Sequence, residues 1–153
     1  MARMEDIPQP TRDAVLALQL PQLPGSPWVT PPPLRDSRVA ILTSAALHGR
    51  EDPPFEAGSA GFRRLDTSRP ASDLLMTHIS INFDRTGFHR DPNVAYPLDR
   101  LRELADEGLI GSVAPTNYSV MGSTDPLTMD STAAALSEAL RAEAVDALLL
   151  CPV

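Results

Sequence analysis

Two apolar runs, "RVAIL" opening the segment at 38–47 and "ALLL" inside "VDALLLCPV" at 145–153, constrain this 153-residue chain more than any other feature. A half-exposed strand alternates apolar with polar residues, whereas a run apolar at every position belongs to a strand covered on both faces. Parallel sheets with helices on both sides provide that cover, and helical patterns stand where they are needed. "YPLDRLRELADEGLIG" places Pro97 in a first turn, repeats Leu98, Leu101 and Leu104 at helical spacing, and offers Gly108 as a C-terminal cap. "DSTAAALSEALRAEA" at 130–144 reads as a second helix, with Asp130 or Ser131 as N-cap candidates. "DLLMTHISI" at 73–81 reads as a strand, and "IGSVAPTNYSVMG" as a short strand and a turn. Strands alternating with helices predict an α/β fold with a parallel, doubly wound-like sheet. A parallel strand needs a crossover helix over one face, and none follows residue 150, so the sheet is expected to be incomplete at its C-terminal end.

Residues 1–37 differ in kind. Prolines at 8, 10, 21, 24, 27, 31, 32 and 33 make them an extended Pro-rich arm, in which only "TRDAVLALQL" has helical character. Residues 38–153 form the α/β domain. Within it "HGREDPPFEAGSAGFRRLDTSRPASD" is irregular and too long for an idle connection.

Charge and residue usage exclude several functions. A net charge of −7 with no basic cluster argues against nucleic acid and anionic membrane surfaces. No window of about 18 apolar residues could span a bilayer, and the start lacks a secretory layout, so a cytoplasmic protein is expected. All 13 basic residues are Arg, which removes Schiff-base chemistry and a phosphate-loop lysine. A single cysteine excludes an internal disulfide and a Cys-rich zinc site.

In open α/β sheets, ligands bind outside the carboxyl ends of the strands. The polar exits "TSAALHG", "HISINFDRTG" and "CPV" should therefore share one rim, with Cys151 on it, either near a site or as a small buried thiol. "THISINFDRTGFHRDPN" gathers His78, Asn82, Asp84, Arg85, Thr86, His89, Arg90, Asp91 and Asn93. Such a set can hold a zwitterion: Arg forks a carboxylate, Asp or Asn meets an amine, and His supplies a switchable proton. A turn-rich loop satisfying its own backbone has the same composition. His48, His78 and His89 fit no compact ligand spacing, so no metal is expected. "GSAG" at 58–61 lacks phosphate-cradle spacing, and no G-x-S-x-G elbow occurs.

The stretch "SINFDRTGFHRDPNVAYPLDRLRELADEGLIGSVAPTNYSVMGSTDP" resembles the selenoprotein B family of glycine, sarcosine, betaine and D-proline reductases. "PW" at 27–28, "RVAILTSAALH" and "VDALLL" extend the resemblance from about residue 27 to the last residue. It implies reductive cleavage of a C–N bond next to a carboxylate in a small amino acid or related amine. A selenol or thiol attacks the carbon bearing nitrogen, and a neighbouring cysteine then closes a selenenyl-sulfide or disulfide. The residues of the "THISINFDRTGFHR" loop expected to meet the substrate are His78, Asn82, Asp84, Arg85, Thr86 and His89. No bound cofactor is implied; the expected agents are selenocysteine in the full-length product, an external thioredoxin-like dithiol and other reductase subunits.

In the resembling family the reactive chalcogen follows the equivalent of "VDALLL" in a pattern like P-V-(selenocysteine or Cys)-P-V-Cys. On that alignment Val153 directly precedes it, and Cys151 becomes a possible resolving thiol. UGA encodes both selenocysteine and stop, so truncation there is the expectation: the N-terminal part of a larger reductase domain, inactive without its nucleophile. Two other readings stand beside it. One is a non-catalytic binding or assembly module that ends at Val153. The other makes Cys151 the nucleophile of a shortened thiol enzyme, which requires a depressed thiol pKa.

Overall fold

The computed structural model describes residues 3–20, 22, 25, 29–80 and 84–153. Strand β1 (Arg38–Thr43) lies at the centre of the main sheet. One edge pairs in parallel along its length with β7 (Ala147–Cys151), from Val39 opposite Ala147 to Thr43 opposite Cys151. The other edge pairs in parallel with β5 (Ser112–Val113) and then with β6 (Thr116–Val120). A strand has only two edges, so β5 and β6 are one interrupted strand, broken at Ala114–Pro115. Proline brings no N–H to a ladder, and beyond the break the Asn117 side chain substitutes, its Oδ1 accepting from the Ile41 backbone N–H at 2.9 Å. Strand β3 (Phe62–Asp66) pairs antiparallel outside β6.

Helices cover both faces, and the two-residue period of β1 sorts the contacts. Val39 and Ile41 pack with Leu98 and Leu101 of α3 (Leu98–Asp106) in the larger core. Leu42 points the other way, toward Tyr118 with Leu136 and Ala139 of α4 (Asp130–Ala142). Phe62 meets Tyr118 edge-on there, ring centroids 5.6 Å apart. Each buried leucine contributes about 1.5–3 kcal/mol over exposure, so each helix is held chiefly by one apolar stripe. Gly108 ends α3 at φ +72, the left-handed conformation expected of a cap. Met129, with no capping side-chain bond, stands at the N-cap of α4 and Asp130 is its first residue. Asp125 instead caps the turn before it, accepting from Leu127 N at 2.9 Å.

The α/β class with a largely parallel sheet and a helix layer on each face agrees with the pattern of the sequence, but three segments differ. Of the described residues 73–80, only β4 (Leu74–Met76) is strand, and it pairs antiparallel with β2 (Leu47–Gly49) in a separate two-stranded sheet. The irregular stretch contains both β2 and β3. Strand β3 is hard to read because "FRRLD" carries polar residues on each face; Arg63 covers the Phe55 ring at 4.5 Å. The polar exit "DRTGFHR" also contains a short helix, α2 (Thr86–Arg90).

The arm forms helix α1 (Gln9–Leu16) and exposes Leu16, Leu18 and Leu20. Among the described residues β7 pairs only with β1, and it leaves Leu149 39% and Leu150 63% exposed. Among the described residues no helix is long and apolar enough to cross a membrane.

Candidate functional site

The carboxyl ends of β1, β6 and β7 converge on one residue, Ser44. Its N–H donates to Cys151 O at 3.1 Å, and its carbonyl accepts from Gly122 N at 3.0 Å. Its Oγ accepts from Val153 N at 2.9 Å. The chain then turns away from the sheet through Ala46, at φ 53, a left-handed conformation that costs a non-glycine residue about 1–2 kcal/mol. Three bonds hold that turn: Ala46 N to Val120 O at 3.0 Å, Thr77 N to Ala46 O at 3.1 Å and Leu47 N to Ser119 Oγ at 2.7 Å.

His78 sits on this rim at 4% exposure. A β-carbon added at Gly122 would lie 3.0 Å from Ser44 Cβ, 2.9 Å from Ser44 O and 3.1 Å from His78 Nε2. The imidazole and the serine thus flank the bare backbone of Gly122. Nδ1 of His78 accepts from Ser80 N at 3.1 Å, so a neutral ring carries its proton on Nε2, on the Gly122 side. Burial first, and the nearby Arg85 charge second, push the His78 pKa below its ordinary value. The ring is neutral at pH 7.

Arg85 is tied to the same segment. Its NH2 donates to the carbonyls of His78 and, at 3.4 Å, of Ser80. A guanidinium has five N–H groups, and both of these bonds are made by NH2.

Of the residues the sequence singled out, His78 and Arg85 stand together at this rim, and Cys151 ends β7 on it. The fold separates the others. Asp84 is exposed and accepts from Thr86 N at 2.8 Å, and hydrogen bonds from the Thr86 side chain and backbone hold its carboxyl below the usual range. Thr86 is exposed as well. His89 lies on α2 against Phe88, ring centroids 6.0 Å apart, and lines a different depression with Arg50, Met76 and Thr77. Asn93 donates to Asp91 and bonds Asp99 as well, fixing the approach to α3. Asn82 lies outside the described residues. His48 is buried away from the rim, its Nδ1 2.7 Å from Gly49 O. Among the described residues no three His, Cys, Asp or Glu side chains come together as a metal group would require.

Cys151 packs beside the larger core, and burial raises its thiol pKa. The environment is opposite to that of an activated nucleophile. Ser44 and Gly122 were not visible as site residues: a serine at a strand exit and a glycine after "YSVM" are common types. Only the convergence of three strand ends gives them their place.

The fold is an α/β domain with a largely parallel sheet, and His78 and Arg85 stand near the carboxyl ends of its strands, where ligands bind in open α/β sheets. The chain belongs to the glycine/sarcosine/betaine reductase selenoprotein B family, whose model matches residues 30–152. It is 32% identical over 133 residues to D-proline reductase subunit gamma of Acetoanaerobium sticklandii, covering 80% of this chain and 54% of that one. It is 36% identical over 87 residues to sarcosine reductase complex component B subunit beta of Peptoclostridium acidaminophilum, covering 54% of this chain and 20% of that one. The chain thus spans about half of the first relative and a fifth of the second. No solved structure matches it.

Proposed function

We propose that this chain is a selenoprotein B-like reductase subunit, or part of one, cleaving the C–N bond of glycine, sarcosine, betaine, D-proline or a related amine. The observation that carries the proposal is the pairing of His78 and Arg85 beside the β7 exit, in a chain of this family. Arg85 holds the substrate carboxylate by a two-pronged, charge-assisted contact. His78, neutral with its proton on Nε2, donates a hydrogen bond across the rim and orients the carbon bearing nitrogen. A selenol or thiol beside this rim supplies the nucleophile. A bond forms from chalcogen to carbon as the C–N bond breaks, and the amine leaves with the electron pair and takes up a proton. A neighbouring thiolate then attacks the chalcogen and the released carbon takes a proton. The resulting sulfur–chalcogen bond is reduced by two electrons from a thioredoxin-like dithiol. Other reductase subunits are the expected partners, since both relatives are named as subunits of reductases.

The test is turnover by the purified native complex, with dithiothreitol as reductant and each of the four amines in turn. One amine should support release of its reduced product, and Arg85→Gln should lower kcat/KM for it about tenfold to a hundredfold, the worth of a hydrogen bond to a charged group. A complex that reduces none of the four sinks the reductase reading.

The exposed edge of β7, with Leu149 and Leu150, favours a second reading, an assembly module without catalysis. In that case the complex turns over an amine but Arg85→Gln and His78→Gln leave kcat/KM unchanged, while substitution of Leu150 by Glu dissociates it.

A further inference from the structure

We infer that Ser44 is a positioning residue that locks the exit of β7 against the His78 side of the rim. The inference rests on the reading of that rim as the reaction site. The argument starts from a gap in the ladder. Strands β1 and β7 pair from Val39–Ala147 to Thr43–Cys151, and Ser44 N extends the pairing by donating to Cys151 O at 3.1 Å. The next residue on β7 is Pro152, which has no N–H. On the other strand the backbone turns away through Ala46. The backbone ladder therefore stops at Cys151, and the next N–H available, that of Val153, would have no partner on β1. The Ser44 hydroxyl fills the gap, accepting from Val153 N at 2.9 Å.

The same residue faces the histidine. Its carbonyl accepts from Gly122 N at 3.0 Å, and its Cβ and His78 Nε2 lie on either side of the space that a side chain at Gly122 would occupy. Ser44 therefore bonds to the exits of both β6 and β7. It lies between the peptide after Cys151 and the imidazole. Loss of its hydroxyl leaves β1 and the core intact but frees the β7 exit to drift relative to His78. A displacement of about 1 Å at a reacting centre costs about a hundredfold in rate. A residue acting in this way lowers kcat and leaves substrate capture alone, because carboxylate binding belongs to Arg85.

Two measurements on the intact subunit in its complex decide the matter. The first follows exchange of the Val153 amide proton by nuclear magnetic resonance with isotope-labelled valine. The amide should be protected in the wild type, exposed in Ser44→Ala and protected again in Ser44→Thr, which keeps the hydroxyl. A wild-type Val153 amide exchanging as fast as an unstructured peptide overturns the inference whatever the variants do, including a Ser44→Ala that fails to fold. So does protection that survives Ser44→Ala. The second measurement is steady-state turnover. Ser44→Ala should lower kcat about tenfold to a hundredfold with KM within about twofold, and Ser44→Thr should restore most of it. If His78→Gln abolishes turnover while Ser44→Ala keeps full kcat, the positioning role is wrong and the rim reading stands. If neither substitution affects turnover, the rim reading itself fails and takes the inference with it.

Discussion

Replacing Gly122 with alanine puts one methyl group into the tightest point of the rim. The added carbon would stand 2.9 Å from Ser44 O, 3.0 Å from Ser44 Cβ and 3.1 Å from His78 Nε2. Unstrained carbon contacts lie at about 3.5–4.0 Å, so all three are too short. Two of the three opposing atoms cannot swing aside: Ser44 O is backbone, bonded to Gly122 N at 3.0 Å, and Ser44 Cβ is fixed to it. Overpacking of this kind costs about 1–3 kcal/mol. Against it stands a gain of about 0.4–1 kcal/mol from the stiffer unfolded chain. The net loss is then about 0–2.6 kcal/mol, and at about 2–4 °C per kcal/mol for a chain of this size the melting temperature drops by up to about 10 °C. Gly61 provides the control, because a β-carbon there meets nothing within 4 Å. Urea denaturation of the two variants, side by side, cancels the unfolded-state gain and isolates the crowding. Gly122→Ala should be about 1–3 kcal/mol less stable than Gly61→Ala. A difference below about 0.5 kcal/mol, the usual spread of inert surface changes, would refute the close approach of Ser44, Gly122 and His78.

Other tests address single groups. The His78 midpoint, followed by ring proton resonances, should fall below 6.5; Arg85→Gln should raise it only in part, because burial is the larger cause. Its folded pKa is depressed and the unfolded chain binds the extra proton, so stability is lost as pH falls below 6.5, a loss that His78→Gln should reduce. Tyr96 is pushed up to about 12 by burial. The folded chain keeps that proton while the unfolded one releases it above pH 10, so about 2–3 kcal/mol of stability should vanish between pH 10 and 12, and Tyr96→Phe should flatten that alkaline slope. Asn117 is fully buried, binding Ile41 N through Oδ1 and donating to Tyr96 OH at 2.9 Å. Asn117→Ala should cost about 2–4 kcal/mol in urea unfolding, two stranded partners at 1–2 each. Cys151, its thiol raised by burial, should react with iodoacetamide at pH 7.5 more slowly than free cysteine; faster reaction would restore it as a nucleophile.

Strands β1 and β7 and helices α3 and α4 were legible because each rests on a local signal. Two are uninterrupted apolar runs, and α3 has helical leucine spacing bracketed by Pro97 and Gly108. The small sheet was not legible, since "LLM" is as apolar as β1 and nothing local says that Leu75 will face His48 rather than a central strand. At the site, the cluster from His78 to Asn93 was conspicuous as composition, but composition could not sort it. The fold turns His78 and Arg85 to the rim, uses Asp84, Asp91 and Asn93 in local turns, and sends His89 to another depression. Sorting of that kind depends on where a short helix, Thr86–Arg90, begins. Ser44 and Gly122 needed three strand ends distant in sequence to be brought together.

The central place of β1 also governs how the chain can be made. Strand β1 finds partners on both edges only late: β5 begins at Ser112, and β7 begins 109 positions after Arg38, whose amide reaches Asp146 across 108 residues. At ribosomal speeds of about 5–20 residues per second, "RVAIL" waits about 4–15 s before β5 is made and about 5–20 s before both edges can be paired. A nascent chain in that condition is a target for holdase chaperones. Slowing of translation between β1 and β7 should lower the soluble yield more than slowing anywhere before residue 38.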